Sequence, residues 1–254
     1  MRRYIYFVFL LCCAVNLLLT SCVRQKYVVM DMVHHNPGEA MTESKFLDPS
    51  FLKKNEYGAK VFFLFEAAQF GIDWKSFDPS LFPDTTEAGR WVAEKAEIIH
   101  KKYDAAKKED LQVYCMLDML VLPSLLVEKH RTELTNEQGK LDISKPYTQL
   151  CIRELMKEMF ETFPQLDGLV IRTGETYLHD APYYVGNHPV QNGMHDHIAL
   201  INLLREEVCE RRSKKLFYRT WDMGQLHSIP KYYLSVTDSI CLLYTSDAAD
   251  DRIS

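Results

Sequence analysis

Five short runs of apolar residues along the chain predict β-strands. They are mostly continuous in Val, Leu, Ile, Phe and Tyr rather than alternating with polar residues, a pattern typical of strands buried on both faces of a parallel sheet. The runs lie at residues 27–33, 60–65, 111–117, 166–171 and 216–218.

Between these runs, apolar residues recur at spacings of three and four, which predicts amphipathic helices. One helix is expected to begin at residues 84–87 (DTTE), which have the form of a capping box. Its apolar stripe consists of Val92, Ala96, Ile99, Tyr103 and Ala106. Similar stripes run through Ile152, Leu155, Met159 and Phe163, and through Ile198, Ile201, Leu204 and Val208.

The alternation of strands and helices predicts βαβ units and therefore an α/β fold with a parallel sheet. We interpret it as a partial (β/α)8 TIM barrel with about five βα units, because eight units at this spacing would occupy about 350 residues. An open doubly wound sheet is the alternative. No glycine-rich phosphate turn follows the first strand, which disfavours the dinucleotide-binding form of that sheet.

The N-terminus, residues 1–22, has the pattern of a bacterial lipoprotein signal peptide. Arg2 and Arg3 precede an apolar run that is shorter than a typical membrane-spanning helix. The run ends in LTSC, where small residues precede Cys22 as in the bacterial lipobox. We expect acyl chains on Cys22 to hold the protein at a membrane of the bacterial cell envelope, on its periplasmic or surface face. An uncleaved anchor helix is the alternative.

Residues 241–254 are expected to be a non-native tail. The string CLLYTSDAADD (241–251) resembles the translation of a transposase adapter used to prepare DNA libraries, and a natural tail rich in Ser, Asp and Ala is the alternative. On this interpretation, residues 23–240 are the N-terminal part of the predicted barrel domain.

Composition and charge narrow the class of protein. The chain has 254 residues, 47% of them hydrophobic and 26% charged, which suits one globular domain with a substantial core. Its net charge of -5 disfavours a nucleic-acid partner. Between the two ends, the cysteines are odd in number and widely spaced, which indicates buried thiols rather than disulfides or a zinc site. They are Cys115, Cys151 and Cys209. No metal or other cofactor is expected.

Polar residues follow each predicted strand at its C-terminal end, the edge of a TIM barrel that carries the chemistry. Every strand delivers a carboxylate or an imidazole to this edge. We therefore expect a shared surface there that binds substrate. Its candidate residues are His34, His35, Glu39, Glu66, Asp118, Arg172, Tyr177, Arg219 and Trp221.

The last two predicted strands share a pattern in which Arg-Thr is followed by one residue and then an acid. VIRTGE ends in Glu175 and FYRTWD ends in Asp222. Two neighbouring carboxylates suit glycoside hydrolysis, one as a proton donor and the other as a base or nucleophile. Alternatively, the two acids pair with Arg172 and Arg219 in an ion network, or the arginines bind a substrate carboxylate and select acidic sugars.

The loop after Glu175 is rich in aromatic and histidine residues. His195 and His197 suggest a metal site, but they precede a predicted helix and have no third ligand at a fixed spacing, so a solvated helix start is the better interpretation. The aromatic rings could face sugar rings or could pack within the loop. They are Tyr177, Tyr183 and Tyr184, with Trp221 on the next strand.

Four segments carry a resemblance to a known family. They are MDMVHHNPGE (30–39), VLPSLLVEK (121–129), DGLVIRTGETYLHD (167–180) and LFYRTWD (216–222). They resemble secreted bacterial barrel proteins related to the α-glucuronidases of glycoside hydrolase family 67, over most of residues 27–240. The resemblance implies a TIM barrel, a glycan substrate and acidic catalysts at the strand ends. It makes Glu175 the candidate general acid and Asp222 the candidate base or charge stabiliser.

The leading hypothesis is a membrane-tethered glycoside hydrolase that acts on glycan fragments, including those that bear uronic acids. Later strands, which can carry the second catalytic carboxylate, are absent from the sequence, so this chain is expected to be inactive as it stands. One alternative is a non-catalytic glycan-binding lipoprotein, which would tolerate Glu175→Gln. Another is a metal-dependent amide or ester hydrolase that uses His195 and His197.

Overall fold

Two β-sheets organise the part of the protein that the structure describes. The structure is a computed structural model that describes residues 28–31, 44–63, 66–174, 176–219 and 229–241. The main sheet has five parallel strands, β1 (Met30–Asp31), β2 (Ala59–Phe62), β3 (Gln112–Asp118), β5 (Gly168–Arg172) and β7 (Lys215–Tyr218). A small antiparallel sheet joins β4 (Val121–Pro123) to β6 (Tyr184–Gly186).

Each strand of the main sheet overlaps one of the five predicted runs, so the predicted α/β class with a parallel sheet is confirmed. The small sheet was not predicted from the sequence. It is closed by reciprocal backbone hydrogen bonds between Leu120 and Asn187, with N–O distances of 2.9 and 3.0 Å. The peptide bond between Met119 and Leu120, where the chain leaves β3, is cis.

Helices connect the strands of the main sheet. They are α1 (Pro49–Lys54), α2 (Glu87–Lys108), α3 (Ser124–Lys129), α4 (Arg131–Leu134), α5 (Pro146–Thr162), α6 (Met194–Arg205) and α7 (Pro230–Cys241). A single π-helical turn, Glu206–Glu210, continues α6, and 3₁₀ turns lie at Lys45–Leu47 and Ala68–Phe70.

Helix α2 begins two residues later than the capping pattern DTTE predicts, with Thr86 rather than Asp84 as the cap. The Thr86 hydroxyl accepts a hydrogen bond from the backbone N–H of Gly89 at 3.0 Å, which satisfies one of the free donors of the first turn. Gly89 is required at this position, because a Cβ atom there would lie 2.1 Å from the carbonyl oxygen of Pro83. The predicted stripe faces the core, with Val92, Ile99 and other stripe residues buried.

The five strands of the main sheet lie side by side in the order in which they occur along the chain. β1 pairs with β2, β2 with β3, β3 with β5 and β5 with β7, and every pair is parallel. A doubly wound sheet reverses its strand order at a switch point. No such reversal occurs among the described strands.

The two faces of the main sheet pack against different partners. One face joins the helices in the large core; its strand residues are Phe62, Val113, Cys115, Leu117, Leu169 and Ile171. The opposite face forms a separate cluster of Ala59, Val61, Phe63, Tyr114, Met116 and Val170, against which Met30 and Tyr177 pack. In the part of the chain that the structure describes, no helical residue belongs to this second cluster, so we call this side of the sheet the helix-free face.

A buried ion pair connects the short edge strand β1 to β2. Lys60 Nζ lies 2.7 Å from Asp31 Oδ2 and 2.8 Å from the carbonyl oxygen of Phe46, and both charged side chains are almost fully buried. The register places Asp31 directly beside Lys60 in the parallel ladder. The pair therefore holds the first strand and the first 3₁₀ turn together.

Two of the three internal cysteines are buried, as predicted: Cys115 in β3 and Cys151 in α5 are free thiols in the core, whereas Cys209 is half-buried. The predicted signal peptide with Cys22 lies outside the described residues, as does the predicted tail beyond Cys241. Within the described ranges, none of the helices has the length and apolar content needed to cross a membrane.

Candidate functional site

The candidate site lies at the C-terminal ends of β3 and β5. These strands pair in parallel, and the register sets Asp118 directly beside Arg172. Side chains two residues apart on a strand share a face, so both residues project from the helix-free face, beyond Met116 and Val170. We define the rim group as Phe63, Asp118, Arg172, Tyr177 and Arg219.

Asp118 and Arg172 form a bidentate ion pair. Arg172 Nε donates to Asp118 Oδ1 at 2.5 Å, and Arg172 Nη2 donates to Oδ2 at 2.7 Å. The two residues are only 3% and 5% exposed. A planar guanidinium matches a carboxylate in this two-bond geometry, and the loss of either partner leaves a buried charge uncompensated.

Two aromatic rings contact the guanidinium of Arg172. Its Cζ atom lies 4.5 Å from the ring centre of Phe63 and 4.4 Å from that of Tyr177, within the range of a cation–π contact. The backbone N–H of Tyr177 donates to Asp118 Oδ2 at 2.9 Å. Asp118 therefore binds both a neighbouring strand and the loop that follows that strand.

Arg219 occupies the next position along the same edge. It directly follows β7, and its backbone N–H donates to the carbonyl oxygen of Ile171 at 2.9 Å. Its side chain is half-buried, with Nη1 3.6 Å from Met116 Sδ. Among the residues that the structure describes, no carboxylate forms an ion pair with Arg219. The described rim group thus holds two arginines and one carboxylate.

Glu66 was predicted at this edge but lies apart from the rim group. Its carboxylate forms an ion pair with Lys102 of α2, and its carbonyl oxygen accepts a hydrogen bond from the Tyr103 hydroxyl at 2.8 Å. The reason is that the chain turns into the 3₁₀ helix Ala68–Phe70 soon after β2 and carries Glu66 towards the helical layer.

Several predicted site residues fall outside the described ranges. They are the proposed catalytic acids Glu175 and Asp222, together with His34, His35, Glu39, Trp221 and the lipidation site Cys22. Their roles stay predictions. The structure does describe Gly174, with a φ of 95°, and Thr176, the chain neighbours of Glu175.

The tyrosines of the loop after Glu175 divide between packing and exposure. Tyr184 is buried, with its ring centre 5.0 Å from that of Phe70 and 5.7 Å from that of Phe82. Tyr183 is half-buried and borders a cleft of about 350 Å³ that lies between the start of α2 with the loop before it, helix α3, and the loop after β5. The packing interpretation therefore applies to Tyr184, whereas Tyr183 is accessible from this cleft.

His197 has a packing role between helices. It is fully buried on α6, and its Nδ1 atom lies 2.8 Å from the hydroxyl of Tyr232 on α7. Burial lowers the pKa of His197 to about 4, so the ring is neutral near pH 7. Within the described part of the chain, no three His, Cys, Asp or Glu side chains come together as they would around a metal ion.

Sequence reasoning missed the contribution of Phe63 and the mutual pairing of Asp118 and Arg172. The position of Phe63 directly after a buried strand, two residues beyond Val61 on the same face, was the available signal. The pairing depends on the register between strands that are more than fifty residues apart in the sequence. No family model matches the chain, and no curated protein is significantly similar to it.

Proposed function

We propose that the chain is the N-terminal part of a (β/α)8 barrel that hydrolyses glycosidic bonds. The sequential parallel order of the five strands supports this fold, since each crossover in a barrel adds the next strand to the same edge. The helix-free face supports it as well, because it corresponds to the interior of a barrel whose helices form only an outer layer.

The observation that carries the proposal is the rim group itself. Charged residues from three neighbouring strands project from the helix-free face at the C-terminal edge of the sheet, where barrel enzymes hold their catalytic residues. In this proposal Glu175, which follows β5, is the general acid, and Asp222, which follows β7, is the base or charge stabiliser.

The charge of the rim supports a substrate that includes acidic sugars. Asp118 neutralises Arg172 in a buried bidentate pair. Arg219 is half-buried at the same edge, with Nη1 3.6 Å from Met116 Sδ, and in this proposal it is the side chain that binds a uronic acid. The proposed substrate is therefore a glycan fragment, including fragments that carry uronic acids.

The proposed enzyme is held at the bacterial cell envelope by acyl chains on Cys22. Replacement of Cys22 by Ala removes the acylation site, so the protein should move from the detergent-soluble membrane fraction to the aqueous fraction. A Cys22→Ala variant that stays in the membrane fraction would contradict lipid anchoring and favour an uncleaved anchor helix.

The direct test of hydrolysis uses the full gene product and a panel of aryl glycosides that includes glucuronides. Glu175→Gln should lower turnover by at least ~100-fold, because general acid catalysis contributes about 10²–10⁴-fold, while substrate binding persists. The matched control is Glu137→Gln, an exposed carboxylate without an ion-pair partner in the described residues. Binding of glycans without turnover by the unaltered protein would establish the non-catalytic alternative.

The barrel itself is tested by reading the source gene beyond the codon for Ile240. Three further strand–helix units in the same frame are expected, because the barrel requires eight. A gene that continues with CLLYTSDAADDRIS and then stops would contradict both the barrel and the hydrolase.

A further inference from the structure

We propose that Asp118 and Arg172 act as positioning residues that hold the segment 173–177 in place at the rim. This segment contains Glu175, so the catalytic purpose of the pair rests on the proposed function. We call the two side chains the clasp. Neither is proposed to touch the substrate.

The hydrogen bonds of Asp118 tie both ends of the segment to one carboxylate. Arg172, the last residue of β5, donates two hydrogen bonds to Asp118. Five residues later along the chain, the backbone N–H of Tyr177 donates to Oδ2 of the same carboxylate at 2.9 Å. One carboxylate on β3 therefore binds the residues on both sides of positions 173–176.

Two aromatic contacts add to the hydrogen bonds of the guanidinium. The ring centre of Phe63, directly after β2, lies 4.5 Å from Arg172 Cζ, and that of Tyr177, at the end of the segment, lies 4.4 Å from it. A guanidinium can make two parallel hydrogen bonds and stack on rings at the same time, whereas a lysine ammonium can do neither. Position 172 therefore requires the planar shape of a guanidinium as well as its positive charge.

Burial separates the clasp from a direct role in binding. Asp118 is 3% exposed and accepts three hydrogen bonds from the protein, so a substrate hydroxyl would have to displace one of them. Breaking the clasp should affect chemistry through the placement of segment 173–177. It should not act through the loss of a contact to the sugar.

The first experiment measures amide hydrogen exchange in the full chain. Asp118→Asn keeps the shape of the side chain but removes its charge, and peptides that cover residues 173–178 should exchange at least ~10-fold faster. The matched control is Asp78→Asn, which breaks a solvent-accessible pair with Lys129 and should leave this segment unchanged. Unchanged exchange at 173–178 in Asp118→Asn would overturn the proposal, as would equal acceleration across β3 and α5.

The second experiment restores the missing group from solution. Arg172→Ala removes the guanidinium group that contacts Phe63, Tyr177 and Asp118. Millimolar guanidinium chloride should return the exchange rate of residues 173–178 towards that of the unaltered protein, while urea, which has the same shape without the charge, should not. Equal effects of the two solutes would overturn the proposal. If Arg172→Ala does not fold, Arg172→Lys serves instead, and normal exchange at 173–178 in that variant counts against the clasp.

The two readouts distinguish failure of the clasp from failure of the proposed function. If the protein hydrolyses glycosides, Asp118→Asn should lower kcat by at least ~10-fold with little change in KM, as expected for a residue that acts through the placement of another. Faster local exchange in a protein without hydrolase activity would support the clasp and contradict the hydrolase. Normal exchange at residues 173–178 in a protein that has glycosidase activity would contradict the clasp and support the hydrolase.

Discussion

At the scale of single residues, the pairing of charges at the rim follows from the free energy that it costs to bury a charge. Asp118 and Arg172 are both almost fully buried, and their two short hydrogen bonds offset the loss of water around each. Arg219 differs because it is half-buried and has a thioether rather than a described carboxylate beside it. The two arginines, alike in sequence context, therefore have different chemistry.

Removal of one charge of the clasp should lower the free energy of unfolding far more than removal of both charges. Arg172→Met should lower the free energy of unfolding by about 3–5 kcal/mol, because Asp118 is left buried without its partner. The double variant Asp118→Leu/Arg172→Met should recover most of this loss, since no buried charge remains. Urea unfolding followed by circular dichroism measures both. A single variant that loses less than about 1 kcal/mol, the scale of a surface ion pair, would show that the pair is not isolated from water.

If Arg219 binds a substrate carboxylate, the protein should bind acidic sugars more tightly than neutral sugars. Arg219→Gln should weaken binding of glucuronic acid by about 10-fold or more, the loss of a hydrogen bond to a charged group, and leave binding of glucose unchanged. Isothermal titration with both sugars measures the difference. Arg212→Gln is the control, because Arg212 is already paired with Glu207. Equal effects of the two variants would contradict a specific role for Arg219.

At the scale of elements, α6 and α7 dock through one buried histidine and a small apolar contact. His197 meets Tyr232, and Ile201 packs with Val236 in a cluster separate from the main core. The predicted stripe through Ile201 and Leu204 faces inward, whereas Ile198, also assigned to that stripe, is half-buried. The interface thus depends on a neutral imidazole. The predicted solvated helix start is wrong for His197, which is fully buried, whereas His195 is exposed.

This interface predicts a specific dependence of stability on pH. The folded pKa of His197, about 4, lies below its ordinary value of 6.5 because of burial, so the unfolded chain takes up the proton first as the pH falls. The contribution of His197 is therefore fully present above about pH 6.5 and is lost progressively towards pH 4. His197→Phe should flatten this part of the curve of unfolding free energy against pH. The exposed-site control His179→Gln should not, and a similar flattening in both variants would contradict the assignment.

At the scale of the whole molecule, one large core joins the sheet to its helices. Cys115 lies in β3 and Cys151 in α5, yet both side chains belong to this core. Burial raises the pKa of each thiol to about 12, so neither forms the reactive thiolate in the folded protein. Reaction of Cys115 therefore reports exposure of the sheet side of this core, and reaction of Cys151 reports exposure of its helical side.

A single cooperative core predicts simultaneous labelling of the two cysteines. Cys115 and Cys151 should become reactive towards a thiol reagent at the same urea concentration as the loss of circular dichroism. Peptide mass spectrometry identifies each site, and the half-buried Cys209 is the comparison that should react earlier. Labelling of Cys151 well before Cys115 would show that α5 opens independently of the sheet.

Some features of the fold were predictable because they depend on neighbours in sequence. Apolar runs identified all five strands of the main sheet, and the capping pattern located the start of α2 at Thr86 to within two residues. Local signals of this kind need only one turn or one strand. The small sheet of β4 and β6 was missed because each of its strands spans only three residues and pairs with a distant one.

The sequence by itself determined the α/β class, the strands and helices, and which residue types follow each strand. Only the tertiary structure decided how those residues meet. It pairs Asp118 with Arg172 across two strands, leaves Arg219 without a carboxylate among the described residues, and directs Glu66 to α2. The physical reason is that hydrophobic periodicity is a property of a local segment. Register and strand order, in contrast, bring together charges that are far apart along the chain. Once such charges are buried, each destabilises the fold unless it is paired.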